Sequence, residues 1–330
     1  MSIRMVVVGY GSAFGMGHAH AQWARNTEGM ELVGVCEPDA QRRAKAAQEE
    51  GVPTYKSMDE VVADDQVDMV ALVVPHDLHA PLAIQAMKAG KHVITEKPMC
   101  VTAAEADKMI AASKKYGVCL TVYHNRRWDP DYVTVKHLID QGVLGEVFLV
   151  ECHVGGARPQ GGWRREEKHG GGMLRDWGAH VIDQCVQLAG GPAAKVFAEL
   201  EHRMWTDIMD VPTHCQLLVQ FDSGIWADIS LSNNSFAPRP RWRVLGEEGG
   251  LLKQAGGGGT VQYFHNVAGQ QSVTEVPCLE TQLAELYQNV ADHINKGAEL
   301  IVKPENVRHT IAIFDAAYES AKKGKAATAK

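Results

Sequence analysis

The chain has 330 residues, 45% of them hydrophobic and 22% charged, which suits a globular protein of about two domains and excludes a disordered or fibrous one. Its 33 Lys and Arg against 40 Asp and Glu leave a formal net charge of −7, without the basic footprint that nucleic acid or an anionic membrane requires. No apolar run nears the roughly 18 residues that span a bilayer, and the stretch in MSIRMVVVGYG is too short for a signal peptide. A cytoplasmic protein is expected. Its seven cysteines are scattered, with no C-x-x-C pair, and read as buried free thiols.

Near-continuous apolar runs at residues 3–9, 30–36, 67–74, 92–95 and 118–122 predict strands buried on both faces. Ala-rich helical patterns lie between them at 17–25, 39–50, 78–89 and 103–116. Asp39, Asp77 and Thr102 mark helix starts, Thr102 in a capping box with Glu105, and Gly51, Gly90 and Gly117 mark stops. That alternation predicts an α/β domain over residues 1–123, a doubly wound parallel (Rossmann) sheet that binds a dinucleotide.

The pattern changes after about residue 145. Longer, alternating segments at 146–154, 195–205, 214–221, 224–231 and 241–245 predict antiparallel strands with one exposed face. A hairpin turn is expected at 221–225, and helices at 177–189, 279–296 and 304–323. Residues 124–330 are thus expected to form an α+β domain with a large open, mainly antiparallel sheet. Its uncovered face predicts a homo-oligomer, a dimer or a tetramer. The last ten residues are expected to fray.

The first strand runs into Gly9-Tyr10-Gly11-Ser12-Ala13-Phe14-Gly15-Met16-Gly17. Glycines let backbone N–H groups approach a pyrophosphate and take the positive φ of a tight turn. Phe14 stands where G-x-G-x-x-G has its third glycine, and Gly17 reads as the displaced equivalent in a longer loop. Gly9, Gly11, Ser12, Ala13, Phe14 and Gly17 are therefore candidate cofactor contacts. Glu37, ending the second strand, can accept hydrogen bonds from both ribose hydroxyls and repels a 2′-phosphate, so NAD is expected rather than NADP. Arg42 and Arg43 argue mildly for NADP, but on the next helix they are expected to be solvated.

Four stretches then recur in a familiar order: Pro75-His76-Asp77-Leu78-His79, Thr95-Glu96-Lys97-Pro98, Tyr123-His124-Asn125-Arg126-Arg127, and GGMLRDWGAHVID at 171–183. With them the whole chain resembles the glucose–fructose oxidoreductase / inositol dehydrogenase (Gfo/Idh/MocA) family, although His76 replaces the usual Asn of its Pro-Asn-x-x-His motif. The resemblance implies an NAD-dependent oxidoreductase that oxidises a secondary alcohol of a sugar, inositol or related polyol to a ketone. It implies cofactor contacts from Pro75, His76, His79, Glu96 and Lys97, and substrate contacts from Tyr123, Asn125 and Arg126. Lys97 and His180 would then touch the reacting hydroxyl, with His180 the general base and Asp176 its support.

The residues make chemical sense in their own right. Lys97 closes a parallel strand at its carboxyl end, where doubly wound sheets bind ligands. Asp176 and His180 stand four apart at a helix start, so they share a face, and a carboxylate beside an imidazole raises its basicity. Asp183 is either a further ligand contact or a hydrogen-bonding group of the helix. The glycine-rich stretch HVGGARPQGGWRREEKHGGG brings His153, Arg158, Trp163 and Arg164 as candidates to close over substrate, its arginines suited to an anionic group. Trp163 suits either stacking on a sugar ring or core packing. No metal site is expected, because the pairs His18/His20 and His76/His79 lack a bracketing carboxylate set. Two alternatives stay open: a glycoside-cleaving enzyme with tightly bound NAD, and a non-catalytic NAD-binding sensor.

Overall fold

The segment IRMVVV forms β1 (Ile3–Val8), an interior strand with five of its six residues buried, and the rest of a parallel sheet is laid beside it. After α1 (Met16–Asn26) come β2 (Met30–Cys36), α2 (Ala40–Glu50), β3 (Thr54–Tyr55) and α3 (Met58–Ala63). Next are β4 (Met69–Leu72), α4 (His79–Lys88), β5 (His92–Thr95), α5 (Ala103–Tyr116) and β6 (Leu120–Val122). The six strands are all parallel, in the order β3-β2-β1-β4-β5-β6. This is the doubly wound Rossmann order. The computed structural model describes residues 2–11, 15–256 and 259–330. They divide into a first unit of Met1–His124, Lys168–Gly170 and Leu283–Arg308, and a second of Asn125–Glu167, Gly171–Gln282 and His309–Lys330.

Local signals explain most of the first unit. Asp39 caps α2 by accepting from Arg42 N, and Thr102 and Glu105 close the expected capping box on α5. Asp77 does not cap α4. It sits inside a 3₁₀ turn, His76–Leu78, and its carboxylate lies 3.2 Å from His169 Nδ1.

The second unit begins with α6 (Pro130–Asp140), which sequence patterning did not predict. Then come β7 (Val147–Gly155), α7 (Met173–Asp176), α8 (Gly178–Ala189), β8 (Ala193–Glu201), β9 (His214–Phe221) and β10 (Trp226–Ser232). The sheet continues through β11 (Trp242–Gly246), β12 (Gly249–Lys253), β13 (Thr260–Val267) and β14 (Gln270–Pro277), the last three also unpredicted. α9 (Ala284–Lys296) and α10 (Pro304–Lys323) close the chain. The eight strands run β14-β13-β12-β11-β7-β10-β9-β8, antiparallel except for β7 with β10, so the sheet is mainly antiparallel, as expected.

The hairpin at 221–225 forms as expected, with Gly224 N donating to Phe221 O and Phe221 N to Ile225 O. The tail corrects an expectation. Ala327 is buried and exchanges both backbone hydrogen bonds with Val196, at 2.8 and 2.9 Å, so it caps the free edge of β8 rather than fraying.

Candidate functional site

The turn after β1 is built for close approach. Gly9 has φ +102°, and a Cβ there would stand 2.1 Å from Val73 O, so no side chain fits. At Gly17 a Cβ would come within 2.8 Å of Gly9 O, so the absence of a side chain lets α1 lie flush against the turn. That close helix–strand packing is the job of the third glycine in a dinucleotide fingerprint. Ser12, Ala13 and Phe14 lie outside the described residues. Gly11 is partly exposed on the described side of the loop, with Arg42 beside it.

Glu37 is buried, and its carboxylate is already oriented. Oε2 accepts from Tyr10 N at 2.9 Å and Oε1 from Asp39 N at 3.0 Å. Each oxygen keeps a lone pair for a further donor, so the group remains able to accept from a ribose. The turn, the bare helix start and this carboxylate together fit a nicotinamide dinucleotide. Neither neighbouring arginine is simply solvated. Arg43 Nη1 donates to the carbonyls of Glu37 and Pro38, and Arg42 Nε stands 3.5 Å from Glu37 Oε1.

At the end of β5, Glu96 Oε2 accepts from Lys97 N at 3.1 Å, and Lys97 itself is half-buried. His79 is fully buried, its Nδ1 2.7 Å from Pro98 O and its Nε2 3.0 Å from Val74 O. Burial pushes its imidazole below the usual range. As a neutral ring it donates to one of these two carbonyls and packs against the other, so it sits between the segments after β4 and β5 rather than facing an open cleft. His76, also buried, places Nδ1 2.8 Å from Gly170 O, and Pro75 is half-buried at the start of the same turn. Tyr123 is buried, which pushes its hydroxyl up to about 12.

In the second unit the helix expected at 177–189 forms as α8, with His180 in its first turn, and Asp176 ends the short α7 just before it. Asp176 accepts from Gln160 Nε2 at 3.0 Å and lies 3.4 Å from Arg164 Nε. The Arg164 guanidinium in turn covers the half-buried Trp163 ring at 4.5 Å. Arg164 is thus engaged with Asp176, and Gln160, which sequence reasoning missed, holds the same carboxylate. His180 is buried with its ring edge toward Trp177, at 6.0 Å. Arg126 lies over the other end of this cluster, 4.4 Å from the Trp177 ring, and donates to Asp129 Oδ2. Asn125 shares the 3₁₀ turn of Arg126.

Two expectations resolve differently. Asp183 is fully buried and takes a bidentate pair from Arg127, Nε at 2.7 Å and Nη2 at 2.6 Å, so it is a hydrogen-bonding group of the fold. A buried carboxylate needs such a partner, and Arg127 in the Arg126-Arg127 pair was the available signal. His153 is removed from His180 by strand alternation. Cys152 and Leu231 face α8, through Arg241 for Cys152 and against Gly178 for Leu231. His153 and its partner Ser230 therefore point to the opposite face. There His153 lines a cavity of about 250 Å³ with Ser230, Ser232, Ser235, Phe236 and Arg239. Arg158 is exposed, with its carbonyl accepting from Asn233 Nδ2.

Burial, helped by Arg239, pushes the His153 imidazole down to about 4. The unfolded ring takes its proton near pH ~6.5, the folded ring does not, so stability is intact above that pH and falls as the pH drops toward 4. By pH 5 this group should account for about 1–2 kcal/mol of lost stability. Urea unfolding of His153→Gln should therefore show a flatter decline between pH 7 and 5 than the parent chain; parallel curves would refute the assignment.

A glycine turn and buried acidic residue on a Rossmann sheet, joined to a second unit with an eight-stranded sheet, define the class of NAD(P)-binding oxidoreductases. The family model described as "Oxidoreductase family, NAD-binding Rossmann fold" matches residues 3–124, and the Gfo/Idh/MocA C-terminal domain matches residues 132–252. The chain belongs to the Gfo/Idh/MocA family. It is 32% identical over 294 residues, 80% of each chain, to the scyllo-inositol 2-dehydrogenase (NADP(+)) of Bacillus subtilis. It is 28% identical over 336 residues to the scyllo-inositol 2-dehydrogenase (NAD(+)) of the same organism, covering 98% of this chain and 95% of that one. The crystal structure of an NAD-binding protein from Listeria innocua superposes with a TM-score of 0.89 at 31% identity, over 99% of this chain and 97% of that one. Among the described residues, no group of three or more His, Cys, Asp or Glu could hold a metal ion, and no helix is long and apolar enough to cross a membrane.

Proposed function

We propose that the protein is an NAD-dependent dehydrogenase of the cytoplasm that oxidises a secondary alcohol of a sugar, inositol or related polyol to a ketone. The observation that carries this is the Glu96-Lys97-Pro98 turn at the carboxyl end of β5, in a parallel sheet whose first turn suits a dinucleotide. Two relatives named as inositol dehydrogenases, at 32% and 28% identity, support the substrate class. Residues 1–123 would hold the cofactor, through Gly9, Gly11, Gly17 and Glu37, with Ser12, Ala13 and Phe14 completing the loop. Residues 124–330 would supply the substrate wall. Bound nicotinamide supplies the hydride acceptor. Lys97 holds the reacting oxygen, and His180 takes its proton while Asp176 keeps the local charge balanced.

NADH formation across a panel of inositols, sugars and uronates tests the proposal. Turnover with free NADH supports it. Glycoside cleavage without free NADH, or tight NAD binding with no turnover at all, would overturn it in favour of one of the two alternatives.

A homodimer or homotetramer through the open face of the second sheet belongs to the same proposal. Register places Phe197, Leu218, Trp226 and Val273 on one face, each 39–50% exposed. Large apolar residues gathered on one sheet face mark an interaction surface. Light scattering at micromolar concentration should give a multiple of the monomer mass, and the monomer mass itself would refute it.

A further inference from the structure

Behind the Glu96–Lys97 turn lie two buried polar side chains, His20 and Tyr287, that none of the roles above uses. His20 of α1 is 1% exposed, its Nε2 stands 3.0 Å from Glu96 Oε1, and its Nδ1 is hydrogen-bonded to Tyr287 Oη of α9. Glu96 then accepts from the Lys97 amide through its other oxygen. Aromatic rings close the pocket. Tyr123 meets His20 edge-on at 4.6 Å and Tyr287 at 6.1 Å, while Trp23 stacks on Tyr287 at 6.3 Å.

The donor count sets the direction of these hydrogen bonds. An ionised carboxylate only accepts, so His20 Nε2 carries the ring proton and donates it to Glu96. In the neutral ring Nδ1 is then bare and accepts from the Tyr287 hydroxyl. Burial pushes the Glu96 carboxyl up, but His20 and the adjacent Lys97 outweigh it and hold it below the usual range. The groups that face Glu96 are His20 from α1, His79 from α4, Tyr123 after β6, Tyr287 from α9, and Lys97. A desolvated carboxylate deprived of its donor would have to protonate or move.

We propose that His20, held in its Nε2–H tautomer by Tyr287, is a positioning residue that fixes the Glu96 carboxylate and, through it, the Lys97 backbone at the end of β5. It rests on the assignment of Lys97 as the group that holds the reacting hydroxyl. His20 lies too deep to touch a substrate, so it acts through the Glu96 hydrogen bond to Lys97 N. A reacting group displaced by about 1 Å can cost on the order of 10²-fold in rate.

Two substitutions separate positioning from bulk. His20→Leu keeps apolar volume and removes the donor, whereas His20→Gln can return an amide N–H to the place of Nε2. In the full chain with NAD and a polyol that turns over, His20→Leu should lower kcat about 10²-fold with KM nearly unchanged, and His20→Gln should recover most of it. Tyr287→Phe, which removes only the hydroxyl, should give a smaller loss of kcat. A readout independent of activity is ¹⁵N NMR of histidine-labelled protein. The resonances lost in His20→Gln should belong to a ring whose Nε2 carries a proton and whose Nδ1 does not. A ring protonated on Nδ1 would overturn the proposal, as would wild-type kcat in His20→Leu. If His20→Leu fails to fold, Tyr287→Phe and the NMR tautomer decide. Should no polyol turn over, the dehydrogenase assignment fails, and the tautomer still decides the relay.

Discussion

Lys97→Ala and His180→Ala are each expected to lower kcat by roughly 10²–10⁴, the scale of a positioned acid–base group acting mainly in the transition state. Oxidising an alcohol requires a proton to leave oxygen as hydride leaves carbon, so loss of either residue leaves that proton or that oxygen unattended. NAD affinity should change little, because the cofactor would rest on the Gly9–Gly17 turn and on Glu37, whose carboxylate is held by Tyr10 N and Asp39 N. Asp176→Asn is expected to cost less. The amide can still meet Gln160, but the charge that faces Arg164 is gone. A base is needed in its neutral form, so kcat/KM should rise with pH and lose that rising limb in His180→Ala. Steady-state kinetics over a pH series checks all of this. Wild-type activity in Lys97→Ala would remove the assignment, and lost NAD binding in that variant would move Lys97 to the cofactor.

Most of the first unit was legible in the sequence because its signals are local; β3, only two residues long, and the short α3 were not. Strands buried on both faces read as apolar runs, and Asp39 and the Thr102–Glu105 box announce helix starts within a few residues. The second unit was less so, for reasons that can be named. β13 and β14 join through Ala268 and Gly269, with φ of +50° and +82°, a two-residue turn that most sequences mark with Asn-Gly. Their strands, TVQYFHNV and QQSVTEVP, carry too many exposed polar residues for a clear alternation. α6 carried a readable start in Asp129-Pro130, which places proline at its first turn, but its buried residues are as much polar as apolar. In the candidate site, Asp183 and His153 could not be sorted by spacing alone. One needed its partner Arg127, 56 positions away, and the other needed the strand register that turns it to the far face.

NAD should be preferred over NADP by about ten- to a hundredfold in kcat/KM, which corresponds to roughly 1–3 kcal/mol of discrimination. The argument is one of charge held in place. Glu37 cannot swing clear of a 2′-phosphate without abandoning Tyr10 N and Asp39 N, and Tyr10 N would then lose its acceptor in a buried setting. Its like charge would therefore meet the phosphate at short range, whereas two ribose hydroxyls could donate to its remaining lone pairs. Arg42 is the opposing influence, because its guanidinium lies beside both Glu37 and Gly11 and is about half exposed. Arg43 counts for less, since it is committed to the carbonyls of Glu37 and Pro38. Initial rates with both cofactors should therefore show Glu37→Ala narrowing the preference and Arg42→Ala widening it. Equal or better kcat/KM with NADP in the parent chain would mean that Arg42 outweighs the carboxylate. In that case Arg42→Ala, rather than Glu37→Ala, should produce the larger change.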